Sequence, residues 1–147
     1  MTKNVVWIDD YPTGNSGLAS YLYDLDITLD LCSTIEDVNA RLLSIGERPV
    51  DLLLFDLILE GPSGRTSLWR YRGLEIARSA LAAGVKRFVA YTVVLDLQTE
   101  RELLAFRQEA HAAGVSPANI ALINKSEVPV AAVRNVVATM LGLAVPR

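Results

Sequence analysis

The stretch Val50-Asp51-Leu52-Leu53-Leu54-Phe55-Asp56 constrains the fold more than any other part of the chain. Its apolar core lacks the alternation of a strand with one wet face. It reads as a strand buried on both sides, the kind that lies in the middle of a parallel sheet with helices above and below. The run ends on a carboxylate. In open α/β sheets ligands bind outside the carboxyl ends of the strands, so Asp56 is the first candidate functional residue.

The flanking sequence supplies the rest of such a sheet. Asn4 to Ile8 is a β-branched and aromatic run that stops at the acidic pair Asp9-Asp10. A turn-rich loop leads to a helix over Leu18 to Leu25, then a second strand over Ile27 to Cys32. Ser33-Thr34-Ile35-Glu36 has the form of a capping box, and the helix it opens carries Val38, Leu42 and Leu43 on one face and ends near Gly46. After Asp56 comes an extended loop, about 57–72, whose length of roughly fifteen residues is uncommon unless it is functional or mobile. A helix from Leu74 to Ala83 stops at Gly84, and Arg87 to Val94 is a fourth strand. Thr99-Glu100-Arg101-Glu102 reads as a second capping box, opening a helix that stops at Gly114. Ile120 to Asn124 is a fifth strand leading to Lys125, and Val130 to Leu143 a last helix with Pro129 at its start. Five strands alternating with five helices give an α/β fold. With right-handed crossovers this is a flavodoxin-like doubly wound parallel sheet of order 2-1-3-4-5.

Composition narrows the class. A chain of 147 residues makes one domain, 1–147, with a full core and no room for a second, output domain. The apolar runs fall short of the roughly 18 to 20 residues that cross a bilayer, and the start lacks the apolar core of a signal peptide. These features point to a cytoplasmic protein without membrane insertion. A net charge of −3 argues against direct nucleic-acid binding. Cys32 is the only cysteine and reads as a small buried hydrophobe; His111, the only histidine, lacks a catalytic or metal-spaced companion. Arg65, Arg70 and Arg72 around Trp69 form either a docking surface or a solvated basic loop.

In the assumed order, strands 1, 3, 4 and 5 are neighbours. Their ends bring Asp9, Asp10, Asp56, Thr92 and Lys125 to one edge. Three carboxylates held close repel one another unless a cation lies among them, and Mg²⁺ suits a site of few carboxylates that keeps several waters. Asp56 on the central strand is placed as a nucleophile toward a phosphoryl group. Mg²⁺, Lys125 and the Thr92 hydroxyl would each take one phosphoryl oxygen. Taken singly, each residue has an ordinary reading as a cap, a strand-end charge or a surface group. The set argues for chemistry.

The arrangement resembles the receiver domain of two-component response regulators, on the pair Asp9-Asp10 after Val5-Val6-Trp7-Ile8, and on Asp56, Thr92 and Lys125. The resemblance implies that Asp56 is the phosphoacceptor and that Asp10, Asp56 and the Ile58 carbonyl ligate Mg²⁺, with Asp9 acting largely through water. It implies a sensor histidine kinase or phosphotransfer protein as donor and a downstream protein partner as receiver of the signal. It describes a signalling protein rather than an enzyme, one that catalyses only its own Mg²⁺-dependent aspartyl phosphorylation and dephosphorylation.

Four features depart from the family's usual pattern. Val93 stands where a small residue follows the threonine, Leu122 where an aromatic residue reports phosphorylation, and Ser126 where proline follows the lysine. The loop after Asp56 is also longer. Signalling would then proceed without an aromatic switch, with that loop as the segment that reorders, and apolar Ile58 and Val94 would leave the phosphoryl group long-lived. Leu103, Leu104, Phe106, Val133, Val137 and Met140 on the last two helices read mostly as core, with a homodimer face as the lesser reading. The alternative function is a pseudo-receiver, a protein-binding module that is not phosphorylated. A haloacid-dehalogenase-like phosphatase needs two aspartates separated by one residue, which Asp9-Asp10-Tyr11 does not offer.

Overall fold

The apolar runs do form a fully wrapped sheet. The computed structural model of the chain describes residues 2–9, 17–57, 59, 72–93 and 97–146. Among these, β1 (Lys3–Ile8), β2 (Ile27–Cys32), β3 (Leu52–Phe55), β4 (Phe88–Thr92) and β5 (Ile120–Asn124) alternate with α1 (Leu18–Tyr23), α2 (Ile35–Leu43), α3 (Arg72–Ala82), α4 (Leu97–Ala112) and α5 (Val130–Leu141). The sheet is parallel throughout, in the order β2-β1-β3-β4-β5. This is the flavodoxin-like doubly wound topology. None of the helices is long and apolar enough to cross a membrane.

Side chains alternate across a strand, and the two faces of the sheet accordingly carry two cores. Val6, Ile8, Leu53, Phe55, Phe88 and Ala90 pack against α2, α3 and α4. Phe106 of α4 meets Phe55 and Phe88 edge to face, with ring centroids 6.5 and 5.1 Å apart. Val5, Trp7, Leu52, Leu54, Val89, Tyr91 and Ile123 pack against α1 and α5. Trp7 is a core residue as expected; its indole N–H is buried without a hydrogen-bond partner among the described residues.

Several expectations from sequence are shifted. The cap of α2 is Thr34, not Ser33: its Oγ1 accepts the Asp37 N–H at 3.1 Å from an extended backbone. Leu43 does not join Val38 and Leu42 in the core but is 89% exposed. One residue turns a helix by 100°, so Leu43 falls outside the stripe, and Arg41 occupies the buried position instead. The Arg41 guanidinium bonds Asp30 at 2.7 Å and the carbonyls of Arg48 and Pro49 at 2.7 and 3.2 Å, which makes its burial tolerable. Thr99 is not a cap either. Helix α4 already runs from Leu97, and Thr99 is a fully buried residue inside it. The expected stops do hold: Gly84 and Gly114 follow their helices at φ 101° and 88°.

Candidate functional site

Strand alternation decides which strand-end side chains meet. Asp9 follows Val5 and Trp7, Asp56 follows Leu52 and Leu54, Tyr91 follows Val89, and Lys125 follows Ile123, all on the face that carries α1 and α5. The ladder extends past the assigned strands, since the Asp9 N–H donates to the Cys32 carbonyl at 3.1 Å and the Asp56 N–H to the Ile8 carbonyl at 3.2 Å. Asp9 and Asp56 therefore point the same way from neighbouring strands. Lys125 reaches Asp56 from two strands away and Asp9 from three, anchored by its own N–H on the Thr92 carbonyl at 2.9 Å.

The Lys125 ammonium donates to Asp9 Oδ2 at 2.7 Å and to Asp56 Oδ2 at 2.9 Å. All three side chains are almost out of solvent, at 11, 2 and 9% exposure respectively. Burial works to lower the Lys125 pKa, but the charge of Asp56 and the hydrogen bond to Asp9 outweigh it, and the ammonium is held above its ordinary value. The same ammonium lies over the Tyr91 ring, 5.0 Å from Nζ to the ring centroid. Burial raises the Tyr91 phenol, with Lys125 opposing and Asp9 reinforcing the shift. Thr92, of opposite parity, is fully buried at the end of β4. Asp10 and Ile58, the other expected metal ligands, lie outside the described residues, as do Val94, Arg65, Trp69, Arg70 and most of the expected loop.

Among the described residues, the Asp9 and Asp56 carboxylates and the Lys125 ammonium are close together and nearly out of solvent, and the carboxylate donors are all oxygen, the ligand type a hard cation takes. Among the same residues, no three His, Cys, Asp or Glu side chains gather as a metal group. Of the expected Mg²⁺-site carboxylates, Asp9 and Asp56 are the ones among the described residues.

Comparisons with known proteins agree with this geometry at the level of fold. No protein-family model and no curated protein matches the sequence. Solved structures do. A response regulator receiver protein from Pseudoalteromonas atlantica matches at a TM-score of 0.67 and 14% identity, over 95% of this chain and 97% of that one. One from Burkholderia phymatum gives 0.66 and 21%, over 99 and 100%. A CheY-like receiver domain protein from Methanospirillum hungatei JF-1 gives 0.65 and 19%, over 97 and 95%. The chain has the response regulator receiver fold.

In this receiver fold two neighbours of the site went unread in the sequence. Tyr91 carried a legible signal, since it lies two residues beyond Val89 and so shares a face with Asp9, Asp56 and Lys125. Gly73 carried less. A Cβ placed on it would lie 1.8 Å from the Asp56 carbonyl oxygen, and its N–H donates to the Leu57 carbonyl at 3.1 Å, so α3 begins directly against the backbone of Asp56. His111 is exposed and Cys32 buried, as their isolation in the sequence implies.

Proposed function

We propose that this protein is a receiver that accepts a phosphoryl group on Asp56 from a phosphohistidine of a sensor kinase or phosphotransfer protein, and signals through a protein partner. The observation that carries this reading is the Lys125 ammonium held within 2.9 Å of both Asp9 and Asp56 at the carboxyl edge of the sheet. An Asp56 carboxylate oxygen attacks phosphorus, the phosphorus–nitrogen bond breaks, and the imidazole departs with its electron pair. Lys125 then moves from a carboxylate oxygen to a phosphoryl oxygen as a point charge, and the Thr92 hydroxyl donates to another. Asp10, Asp56 and the Ile58 carbonyl would hold Mg²⁺, with Asp9 acting largely through water, and the ion would supply charge neutralisation at the phosphoryl group.

The pseudo-receiver reading has one observation in its favour. Val93, directly after Thr92, is a large residue at 57% exposure on the edge where a phosphoryl group would enter. Incubation with Mg²⁺ and acetyl phosphate, followed by intact-mass measurement, separates the two. A gain of one phosphoryl group that is lost in Asp56→Asn supports the receiver. An unchanged mass, together with no tryptophan fluorescence response to beryllofluoride, assigns the fold to binding alone.

A further inference from the structure

We infer that Tyr91 is a positioning residue that holds the Lys125 ammonium at the Asp56 carboxylate through the face of its ring. The inference rests on the reading that Lys125 serves phosphorylation of Asp56. Three observations meet here. Tyr91 is the last residue of β4 on the face shared by Asp9, Asp56 and Lys125. Its ring lies 5.0 Å from Nζ, within the distance at which the negative face of an aromatic ring attracts a cation. It is only 3% exposed, in the core that the sheet forms with α1 and α5, so the ring stays in place.

A lysine needs such a support. Its four-carbon stem is flexible, so each contact that the ammonium makes narrows the positions open to it. Asp9 and Asp56 hold the ammonium by hydrogen bonds, and the Tyr91 ring adds a third contact of a different kind. The two kinds of contact differ in what phosphorylation does to them. Phosphorylation converts the Asp56 carboxylate into an acyl phosphate, so Lys125 exchanges its contact with that carboxylate for one with a phosphoryl oxygen. The ring is neutral and chemically untouched by the transfer, so its attraction persists through that exchange. Burial keeps the phenol protonated, which assigns this part to the π face rather than to a phenolate.

The test is hydrogen exchange of the Lys125 ammonium, read by NMR on protein labelled with ¹⁵N-lysine, with the resonance identified by its loss in Lys125→Met. Tyr91→Leu should speed that exchange about tenfold and slow acetyl phosphate phosphorylation by a similar factor, whereas the conservative Tyr91→Phe, which keeps the ring, rescues both. Tyr91→Met, close in bulk and without a ring, repeats the test should the leucine variant fail to fold, and it is expected to behave as Tyr91→Leu. Wild-type exchange in the ringless variant overturns the inference. The exchange readout requires no phosphorylation. A wild-type protein that gains no phosphoryl group would therefore sink the proposed function while Tyr91 was still judged by exchange alone.

Discussion

Gly73 stands against the main chain of Asp56 so closely that a methyl group in place of its hydrogen would lie 1.8 Å from the Asp56 carbonyl oxygen and 2.8 Å from the carbonyl carbon. Both are backbone atoms and cannot rotate away. The Gly73 N–H also donates to the Leu57 carbonyl at 3.1 Å, so the start of α3 is tied to the residue that follows the candidate phosphoacceptor.

Gly73→Ala should therefore displace either α3 or the Asp56 backbone. Overpacking of this kind costs roughly 1–3 kcal/mol and occasionally more. A lowered urea midpoint is expected, together with slower acetyl phosphate phosphorylation, since the Asp56 oxygens move with the backbone. Ser79→Ala, on an exposed part of the same helix, serves as the control. A glycine variant as stable and as reactive as wild type would show that the close approach is not needed.

Lys125 predicts a pH dependence of stability. Its folded pKa is raised, so the folded state binds the ammonium proton more tightly than the unfolded chain does. The resulting stability is present below the ordinary lysine value of 10.5 and is lost as pH rises through the folded value above it. Urea midpoints between about pH 9 and 12 should fall more steeply for wild type than for Lys125→Met, which has no such proton to lose. Equal slopes would mean that the two carboxylates do not bind the ammonium in solution. At neutral pH the same variant removes the Lys125 ammonium from beside two buried carboxylates, and breaking a buried pair typically costs about 3–5 kcal/mol.

Cys32 should be inert. Burial, followed by the charges of Asp37 and Asp30 and opposed by Arg41, pushes its thiol from 9.0 to about 11. Two units mean about a hundredfold less thiolate below pH 9 than in a cysteine of ordinary pKa, and only the thiolate reacts. Iodoacetamide at pH 8 should label the unfolded protein readily and the folded protein at least about a hundredfold more slowly, burial adding to the thiolate deficit. Labelling at similar rates in both states would place Cys32 outside the core.

The order of the sheet was legible because each strand announces itself locally. Leu52 to Phe55 is apolar on every residue, Gly84 and Gly114 stop their helices, and Ile120 to Asn124 was readable to the residue. The candidate site was legible in part for the same reason: acids and a lysine at strand ends need only the strand order to be brought together. Thr34 and Thr99 were harder. Local capping patterns tolerate a shift of one position or recur inside a helix, and tertiary packing selects among them.

What the sequence determined by itself was periodicity: which runs are strands, which face each residue takes, and therefore that Asp9, Asp56 and Lys125 share a side. The tertiary structure decided what depends on distances between elements. Arg41 is buried because Asp30 of β2 and the carbonyls of Arg48 and Pro49 gather around its guanidinium. Gly73 is confined because α3 begins against the Asp56 backbone, and Tyr91 meets Lys125 because β4 and β5 pair in one particular register. Alternation is a property of one strand and can be read along it, but a gap between two elements exists only once both are in place.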